Sequence, residues 1–371
     1  MENMTRRNFI AASTAAAMGP MILGSQDKAG TKRPIVGEGN HQYEVIHDWG
    51  ELPSDIKYGN THSVSEDSQG HIYVHHTVHA TSQSPDSVVV FDDKGKFVRS
   101  FGAMFKGGAH GMHLQKEGAD EYLYFCDEKH GIVTKRTLRG EEVWTRGYPQ
   151  ESAPYARGGG NRGLPYRPTN IAIAPNGEFW VADGYGSYYI HHYDSNVQLL
   201  NTFGGSGVVR SQEPGQGQRS DQAQSLEPAA LGTLNNPHGI WVDTRDPANP
   251  ILLVADRFNH RIQRFTLDDR PVDVVEGTLL PCHFTQQKDL MVVPDLQCRV
   301  TLLDKENKVI AHLGDGAYGK EMDKIRTATD RSQFEPGKFI APHGATFDHA
   351  GNIFVVEFVE IGRVTKLRKL V

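Results

Sequence analysis

The sequence predicts an all-β fold, a six-bladed β-propeller, and three observations support this prediction. Short runs rich in Val, Ile, Phe, Tyr and Trp alternate with Gly, Asp and Asn, which is typical of strands joined by tight turns. A pattern of such runs recurs six times. Sustained helical periodicity is missing after residue 30. The six repeats open at His62, His110, Thr169, His238, His283 and His343.

Each repeat is long enough for one blade of four strands. Neighbouring openings lie 45 to 69 residues apart, and a blade needs about 40–50 residues, so the surplus falls in loops. The fourth repeat shows the order of strands most clearly, with runs at 238–243, 251–256, 260–265 and 272–276. Turn residues at 67–70, 175–177 and 348–351 separate the first and second strands of three repeats.

The two ends of the chain predict how the ring closes. The sixth repeat ends at Val371 with three strands, and the run Tyr43–Trp49 resembles an outer strand that has no blade of its own. We expect this N-terminal strand to complete the last blade. Such closure leaves no large open sheet edge, as propellers require.

Composition and charge bound the function. A net charge of −6 over 371 residues is unlike the basic face that binds nucleic acid, and three cysteines cannot build a disulfide framework. Beyond the N-terminus there is no apolar run of 18 residues, so we expect no membrane span after signal removal. We expect a single propeller over residues 36–371 that acts as a monomer.

The first 35 residues are predicted to be a signal peptide and linker. Arg6 and Arg7 precede a weakly apolar, Ala-rich stretch, which is the layout of a cleaved signal. The pair within Thr5–Ile10 resembles a twin-arginine signal. We therefore expect export to the periplasm or the medium.

Histidines at the repeat openings predict a metal site on the propeller axis. The first strand of each blade lines the channel, and alternate blades point side chains inward about 120° apart. His110, His238 and His343 open blades two, four and six, and each is followed by Gly. Three neutral imidazoles with one open position are typical of catalytic zinc. Other metals that favour imidazole stay open.

Two turns on the same face carry candidate catalytic residues. Tyr185 follows the second strand of blade three and can act as a base where a cation lowers its pKa. Arg257 follows the second strand of blade four and can bind a carboxylate bidentately. Aspartates recur at one position of four blades, which favours turn hydrogen bonding over catalysis: Asp127, Asp183, Asp256 and Asp295.

Further histidines leave two interpretations open. His62 and His283 open blades one and five, and His76 ends the second strand of blade one. They predict either a second cation or substrate site, or polar residues that line the channel and rim.

The repeat resembles the NHL type of six-bladed propeller. The His-Gly openings, with Asp183-Gly184-Tyr185 and the 255–263 segment, resemble peptidyl-α-hydroxyglycine α-amidating lyase over about residues 55–371. The resemblance implies zinc on His110, His238 and His343, with Tyr185 as base and Arg257 at the substrate carboxylate. The expected substrate is a peptide C-terminus ending in α-hydroxyglycine, and the products are an amide and glyoxylate.

The chain also departs from that family. An Arg that the family carries in blade one is absent from residues 74–79, and Gly344 stands where the family has an Asp that helps to hold calcium. Calcium therefore stays open as a second cation. The alternative function is a non-catalytic NHL propeller that binds a protein or glycan through the loops at 147–167, 204–236 and 315–340. A calcium-dependent lactonase-type propeller ranks last, because it needs carboxylates and Asn at an axis that here is rich in His.

Overall fold

The computed structural model describes residues 23–26, 32–156, 165–206, 229–314 and 321–370. Within them the chain folds into six antiparallel sheets arranged as propeller blades, which confirms the predicted fold class. The twin-arginine motif predicted at Thr5–Ile10 lies outside the described residues, whereas two described strands, at 23–26 and 32–36, overlap the predicted signal peptide and linker over residues 1–35. In the part of the chain that is described, no helix is long and apolar enough to cross a membrane.

Strands account for nearly all of the regular structure. Three strands precede the first blade: β1 (Leu23–Gln26), β2 (Lys32–Val36) and β3 (Tyr43–Ile46). Blade one contains β4 (Thr61–Glu66), β5 (Ile72–His76), β6 (Val88–Phe91) and β7 (Phe97–Phe101). Blade two contains β8 (Ala109–Glu117), β9 (Asp120–Asp127), β10 (Ile132–Thr137) and β11 (Glu142–Arg146). Blade three contains β12 (Asn170–Ile173), β13 (Phe179–Ala182), β14 (Tyr189–Tyr193) and β15 (Leu199–Gly204).

The remaining blades follow the same order. Blade four contains β16 (Pro237–Asp243), β17 (Ile251–Asp256), β18 (Arg261–Phe265) and β19 (Pro271–Val275). Blade five contains β20 (Thr285–Gln287), β21 (Leu290–Asp295), β22 (Arg299–Leu303) and β23 (Val309–Leu313). Blade six contains β24 (Pro342–Phe347), β25 (Ile353–Glu357) and β26 (Arg363–Lys369). Helical structure is short: α1 (Met322–Arg326), with 3₁₀ turns at Ala103–Phe105, Arg257–Asn259 and Arg331–Gln333.

The N-terminal strand closes the ring as the sequence predicts. β3 pairs antiparallel with β26, placing Val45 opposite Leu367. The side chains of Val45 and Leu367 are buried in one apolar cluster with residues of blades five and six. β2 and β1 continue this sheet outward, so the last blade has six strands. Strands from opposite ends of the chain therefore share one sheet.

Apolar side chains pack between neighbouring blades. Among the described residues, one cluster fills each of the six interfaces around the ring. At the interface of blades four and five, for example, Leu253 and Ile262 pack with Phe284 and Met291. Because each blade is buried on both faces, the first strands are pressed together around the axis, where β24 contacts β4. That packing fixes the position of residues at the strand openings.

The four recurrent aspartates accept backbone hydrogen bonds, in agreement with their predicted structural role. Asp127 accepts them from Lys129 and His130 in the turn that follows it, and the other three hold the segments that enter the first strands. Asp183 accepts a hydrogen bond from the backbone N–H of Arg167, and Asp256 accepts one from Asn235. Asp295 accepts bonds from the N–H groups of residues 279 and 280. Glu357 plays the same part in blade six, for residues 340 and 341. Each N–H group held in such an entering segment lies two or three residues before the residue that opens the first strand at the propeller axis.

Candidate active site

Six residues, one from each blade, meet on the axis at one register. The register is defined by strand pairing. In five blades the residue that precedes the axial residue pairs with the last residue of the second strand, as Pro237 pairs with Asp256 and Pro281 with Asp295. In blade three Thr169 holds the position, because its N–H donates to the carbonyl of Ala182. We call these residues the axial ring: His62, His110, Thr169, His238, Cys282 and His343.

In blade five the axial residue lies one position earlier in the sequence than we predicted. We expected His283 to share the register of the other openings, but Cys282 occupies it. The sequence carried a signal for this assignment that we missed. In four blades the ring residue directly follows a proline, at positions 168, 237, 281 and 342. His283 lies one position further along the channel, where its Nδ1 contacts Asn170 Nδ2 at 2.8 Å.

The three histidines predicted to hold a metal come together. The ring centroids of His110, His238 and His343 lie 4.7, 4.8 and 4.9 Å apart, which is close to an equilateral triangle. All three side chains are buried. Alternate blades therefore converge on the axis as the repeat pattern predicts.

Backbone carbonyls of the next blade fix the tautomer of each histidine. Nδ1 of His110 lies 2.6 Å from the carbonyl oxygen of Thr169, and Nδ1 of His238 lies 2.8 Å from that of Cys282. Nδ1 of His343 lies 2.9 Å from the carbonyl of His62. A carbonyl can only accept, so each Nδ1 carries the proton and each Nε2 keeps its lone pair. Each histidine therefore keeps its Nε2 available as a ligand atom.

The glycine after each of these histidines makes room for that carbonyl. A Cβ at Gly111 would lie 2.5 Å from the carbonyl oxygen of Thr169. The corresponding distances are 2.7 Å for Gly239 and Cys282, and 2.5 Å for Gly344 and His62. These distances are shorter than real Cβ contacts, so the His-Gly pair is a steric condition for the hydrogen bond that orients the imidazole.

The electrostatic environment keeps the ring imidazoles neutral. Burial holds the pKa of His110, His238 and His343 well below 6.5, and the neighbouring histidines and Arg257 lower it further. The same causes lower the pKa of His62. Neutral imidazole is the form that binds a metal.

Tyr185 lies over the histidine triangle. Its Oη is 3.1 Å from His110 Nε2 and 3.0 Å from His238 Nε2. The Arg257 Nη2 atom lies 3.4 Å from the same oxygen. Burial raises the pKa of the Tyr185 phenol, and Arg257 opposes this shift. Since the pKa is raised on balance, the phenol needs a further positive charge nearby before it can serve as a base near neutral pH.

Arg257 is a buried cation that has no carboxylate beside it among the described residues. It begins the 3₁₀ turn after β17 and is 5% exposed. Within the described ranges its hydrogen bonds go to Tyr185 and, at 4.0 Å, to Cys282 Sγ, and Nε has no partner. A buried guanidinium is costly unless an anion pairs with it. The position of Arg257 therefore suits an anionic ligand above the ring.

The extra histidines fall in different places. His62 belongs to the ring, with its centroid 4.5 Å from that of His343 and 4.9 Å from that of His110. His76 lies outside the ring against Tyr58, and its Nδ1 accepts the N–H of Val78. The three residues predicted as additional channel or rim positions thus do not form one second cluster.

The donor atoms of the ring fit a transition metal. Two overlapping groups have ligand atoms within 4.8 Å of one another, and His343 belongs to both. The first adds His62 and His110, and the second adds His238 and Cys282. Nitrogen and sulfur donors suit zinc and similar ions. Calcium requires several oxygen ligands, whereas the one side-chain oxygen of the ring, the Thr169 hydroxyl, donates to backbone carbonyls.

The fold and the ring together define a six-bladed propeller with a histidine-lined axial site. No family model matches the chain. A stretch of 150 residues is 27% identical to a probable peptidyl-α-hydroxyglycine α-amidating lyase, pgal-1, of Caenorhabditis elegans. This match covers 39% of the chain and 36% of that protein, so the chain spans just over a third of the relative's length. The match confirms the resemblance found in the repeat openings.

Solved structures share the architecture. A streptogramin B lyase structure aligns over 89% of this chain and 99% of its own, with a TM-score of 0.51 and 12% identity. The gluconolactonase XC5397 from Xanthomonas campestris aligns over 94% and 95%, with a TM-score of 0.53 and 11% identity. At such identities these similarities concern the fold alone.

Proposed function

We propose that the protein is a zinc-dependent carbon–nitrogen lyase that cleaves peptides ending in α-hydroxyglycine to an amide and glyoxylate. The observation that carries this proposal is the contact of Tyr185 Oη with the free nitrogens of two converging histidines and with Arg257. The C. elegans relative, a probable peptidyl-α-hydroxyglycine α-amidating lyase, suggests the reaction class.

His110, His238 and His343 would hold the ion through Nε2, because Nδ1 of each is engaged by a backbone carbonyl. A zinc ion there would supply a Lewis acid that makes the substrate hydroxyl more acidic and a positive charge that favours the phenolate of Tyr185. Thr169 continues the ring in blade three without adding a ligand of this kind.

Tyr185 would accept the proton of the substrate hydroxyl. The electrons of that O–H bond then form the aldehyde carbonyl of glyoxylate, and the bond between the α-carbon and the amide nitrogen breaks. Its electron pair stays on the nitrogen, which takes a proton from the Tyr185 phenol and leaves as the peptide amide. One proton is removed and one is returned, so Tyr185 ends in its starting state.

Arg257 would bind the substrate carboxylate. Its guanidinium is buried, lacks a carboxylate among the described residues, and lies within 3.4 Å of the proposed base. A bidentate contact with the carboxylate would place the α-hydroxyl next to Tyr185 Oη and would compensate the buried positive charge.

The proposal is tested by metal content followed by an assay of glyoxylate release. We expect about one zinc per folded wild-type chain, and we expect His238→Ala to lose it while the far-ultraviolet circular dichroism of the propeller is retained. His349→Ala, at an exposed position in the turn between β24 and β25, is the matched control and should keep the metal. Wild-type protein that binds no transition metal, even after zinc is offered, would leave a non-catalytic binding propeller as the explanation.

A further inference from the structure

The axial ring holds more donor atoms than the proposed reaction uses. Three imidazoles account for the proposed ion, but His62 and Cys282 occupy the same register in blades one and five. Both side chains are buried, at 4% and 0% exposure. Each needs a physical explanation, since a polar ligand atom at the centre of a protein is costly without a partner.

Cys282 lies beside two of the proposed ligands. Its Sγ is within 4.8 Å of the ligand nitrogens of His238 and His343. The Cys282 thiol donates a hydrogen bond to the carbonyl of Leu280, at 3.4 Å, and Arg257 Nη1 lies 4.0 Å from the sulfur. The sulfur therefore lies beside two imidazoles and a guanidinium. Burial raises the pKa of the Cys282 thiol and Arg257 opposes this shift, so the positive charge of a bound ion would be needed to form the thiolate.

His62 is a second, independent sign that the ring receives an ion. Neither of its ring nitrogens has a hydrogen-bond partner among the described residues, although the side chain is 4% exposed. One of these nitrogens lies within 4.8 Å of the ligand nitrogens of His110 and His343. A buried imidazole that has no hydrogen-bond partner among the described residues and lies beside other donor groups is suited to bind a metal.

We propose that Cys282 binds the axial ion as a thiolate, together with His238 and His343. This inference rests on the proposed function because it assumes the same metal position, but it does not depend on the lyase reaction. The thiol proton leaves when the ion binds, and one sulfur–metal bond forms. Zinc accepts four or five ligands, so a sulfur donor beside the histidines would still allow a substrate to bind.

A thiolate in the ring also defines the class of ion. Sulfur donors favour zinc and other thiophilic ions over magnesium, calcium and manganese, which prefer oxygen. The ring would therefore select a borderline or soft cation. Arg257 would stabilise the added negative charge, since its guanidinium lies within 4.0 Å of the sulfur.

Cobalt(II) binding to the full chain tests this assignment. A thiolate ligand gives an intense sulfur-to-cobalt charge-transfer band in the near ultraviolet, which imidazole alone does not give. We expect the band in the wild type and in Cys126→Ser, a control at a buried cysteine in blade two. We expect Cys282→Ser to lose the band and to bind zinc at least 10- to 100-fold more weakly, as when a supporting contact of a metal site is lost.

Two outcomes separate this inference from the proposed function. Cobalt bound by the wild type without the charge-transfer band would overturn the assignment of Cys282 and leave the three-histidine site standing. Wild-type protein that binds no cobalt would overturn both. If Cys282→Ser fails to fold, X-ray absorption of the zinc-loaded wild type decides the question, because one sulfur among the zinc ligands is expected and nitrogen ligands alone would refute it.

Discussion

Mild acid should unfold the metal-free protein, because several histidines outside the ring are buried as neutral imidazoles. Burial lowers the pKa of His75 and of His76 from 6.5 to about 3, and it lowers the pKa of His113 to about 4. The three side chains are 0%, 0% and 4% exposed. In the unfolded chain the same groups bind a proton once the pH falls below about 6.5.

The sign and size of the effect follow from linkage. The folded-state pKa is depressed, so the stability that these groups contribute is present above pH 6.5 and is lost as the pH falls towards 3 or 4. Each group lowers the free energy of unfolding by about 1.4 kcal/mol per pH unit, which gives about 2 kcal/mol between pH 6.5 and pH 5. Three such groups lose about 6 kcal/mol, against a total stability of about 5–15 kcal/mol for a typical protein.

Urea denaturation followed by circular dichroism, in the presence of a chelator, measures this loss from pH 7.5 to pH 5. His75→Phe is the informative variant for two reasons. The centroid of the His75 ring lies 5.0 Å from that of Phe125 and 5.7 Å from that of Phe105, so an aromatic side chain suits the site. Neither ring nitrogen has a hydrogen-bond partner in the described part of the chain. We expect its stability to fall less steeply with pH, by about 1.4 kcal/mol per unit. Removal of His349, whose pKa an ion pair with Glu66 raises at the surface, should not reduce the acid sensitivity.

A free energy of unfolding that stays constant from pH 7.5 to pH 5 would refute this reasoning. It would mean that the folded protein accepts protons at these histidines without cost. An equal pH dependence in the wild type and in His75→Phe would remove His75 from the explanation while leaving the other two.

Three further predictions concern the site and its support. Tyr185→Phe should keep the metal and lower turnover at least about 100-fold, the scale of general-base catalysis, and unchanged glyoxylate release would remove Tyr185 from the mechanism. Gly239→Ala should destabilise the fold by about 1–3 kcal/mol and weaken metal binding, because its Cβ would lie 2.7 Å from the carbonyl of Cys282; zinc affinity equal to that of the wild type would contradict this. Glu357→Gln should cost about 3–5 kcal/mol in urea denaturation, since it leaves the buried Arg363 without its counter-charge.

The repeat pattern predicted the scaffold and most of the ring because both depend on local features. Short hydrophobic runs, turn residues and the His-Gly pairs are local features of the sequence. Because they recur six times, they also predict which residues lie on the propeller axis. The Tyr43–Ile46 strand was predicted for the same reason, since the last repeat lacked one strand. A proline before the ring position also marked Cys282, although we assigned that register to His283.

Other features became visible only when distant segments were brought together. The sequence by itself determined the propeller, its closure and the alternation of His110, His238 and His343, because these follow from period and composition. Only the tertiary structure showed that Nδ1 of each histidine is held by the next blade, that Tyr185 lies over the triangle, and that Arg257 is buried without a carboxylate among the described residues. Hydrogen bonds between blades join residues 44 to 281 positions apart, and no local pattern encodes such a pairing.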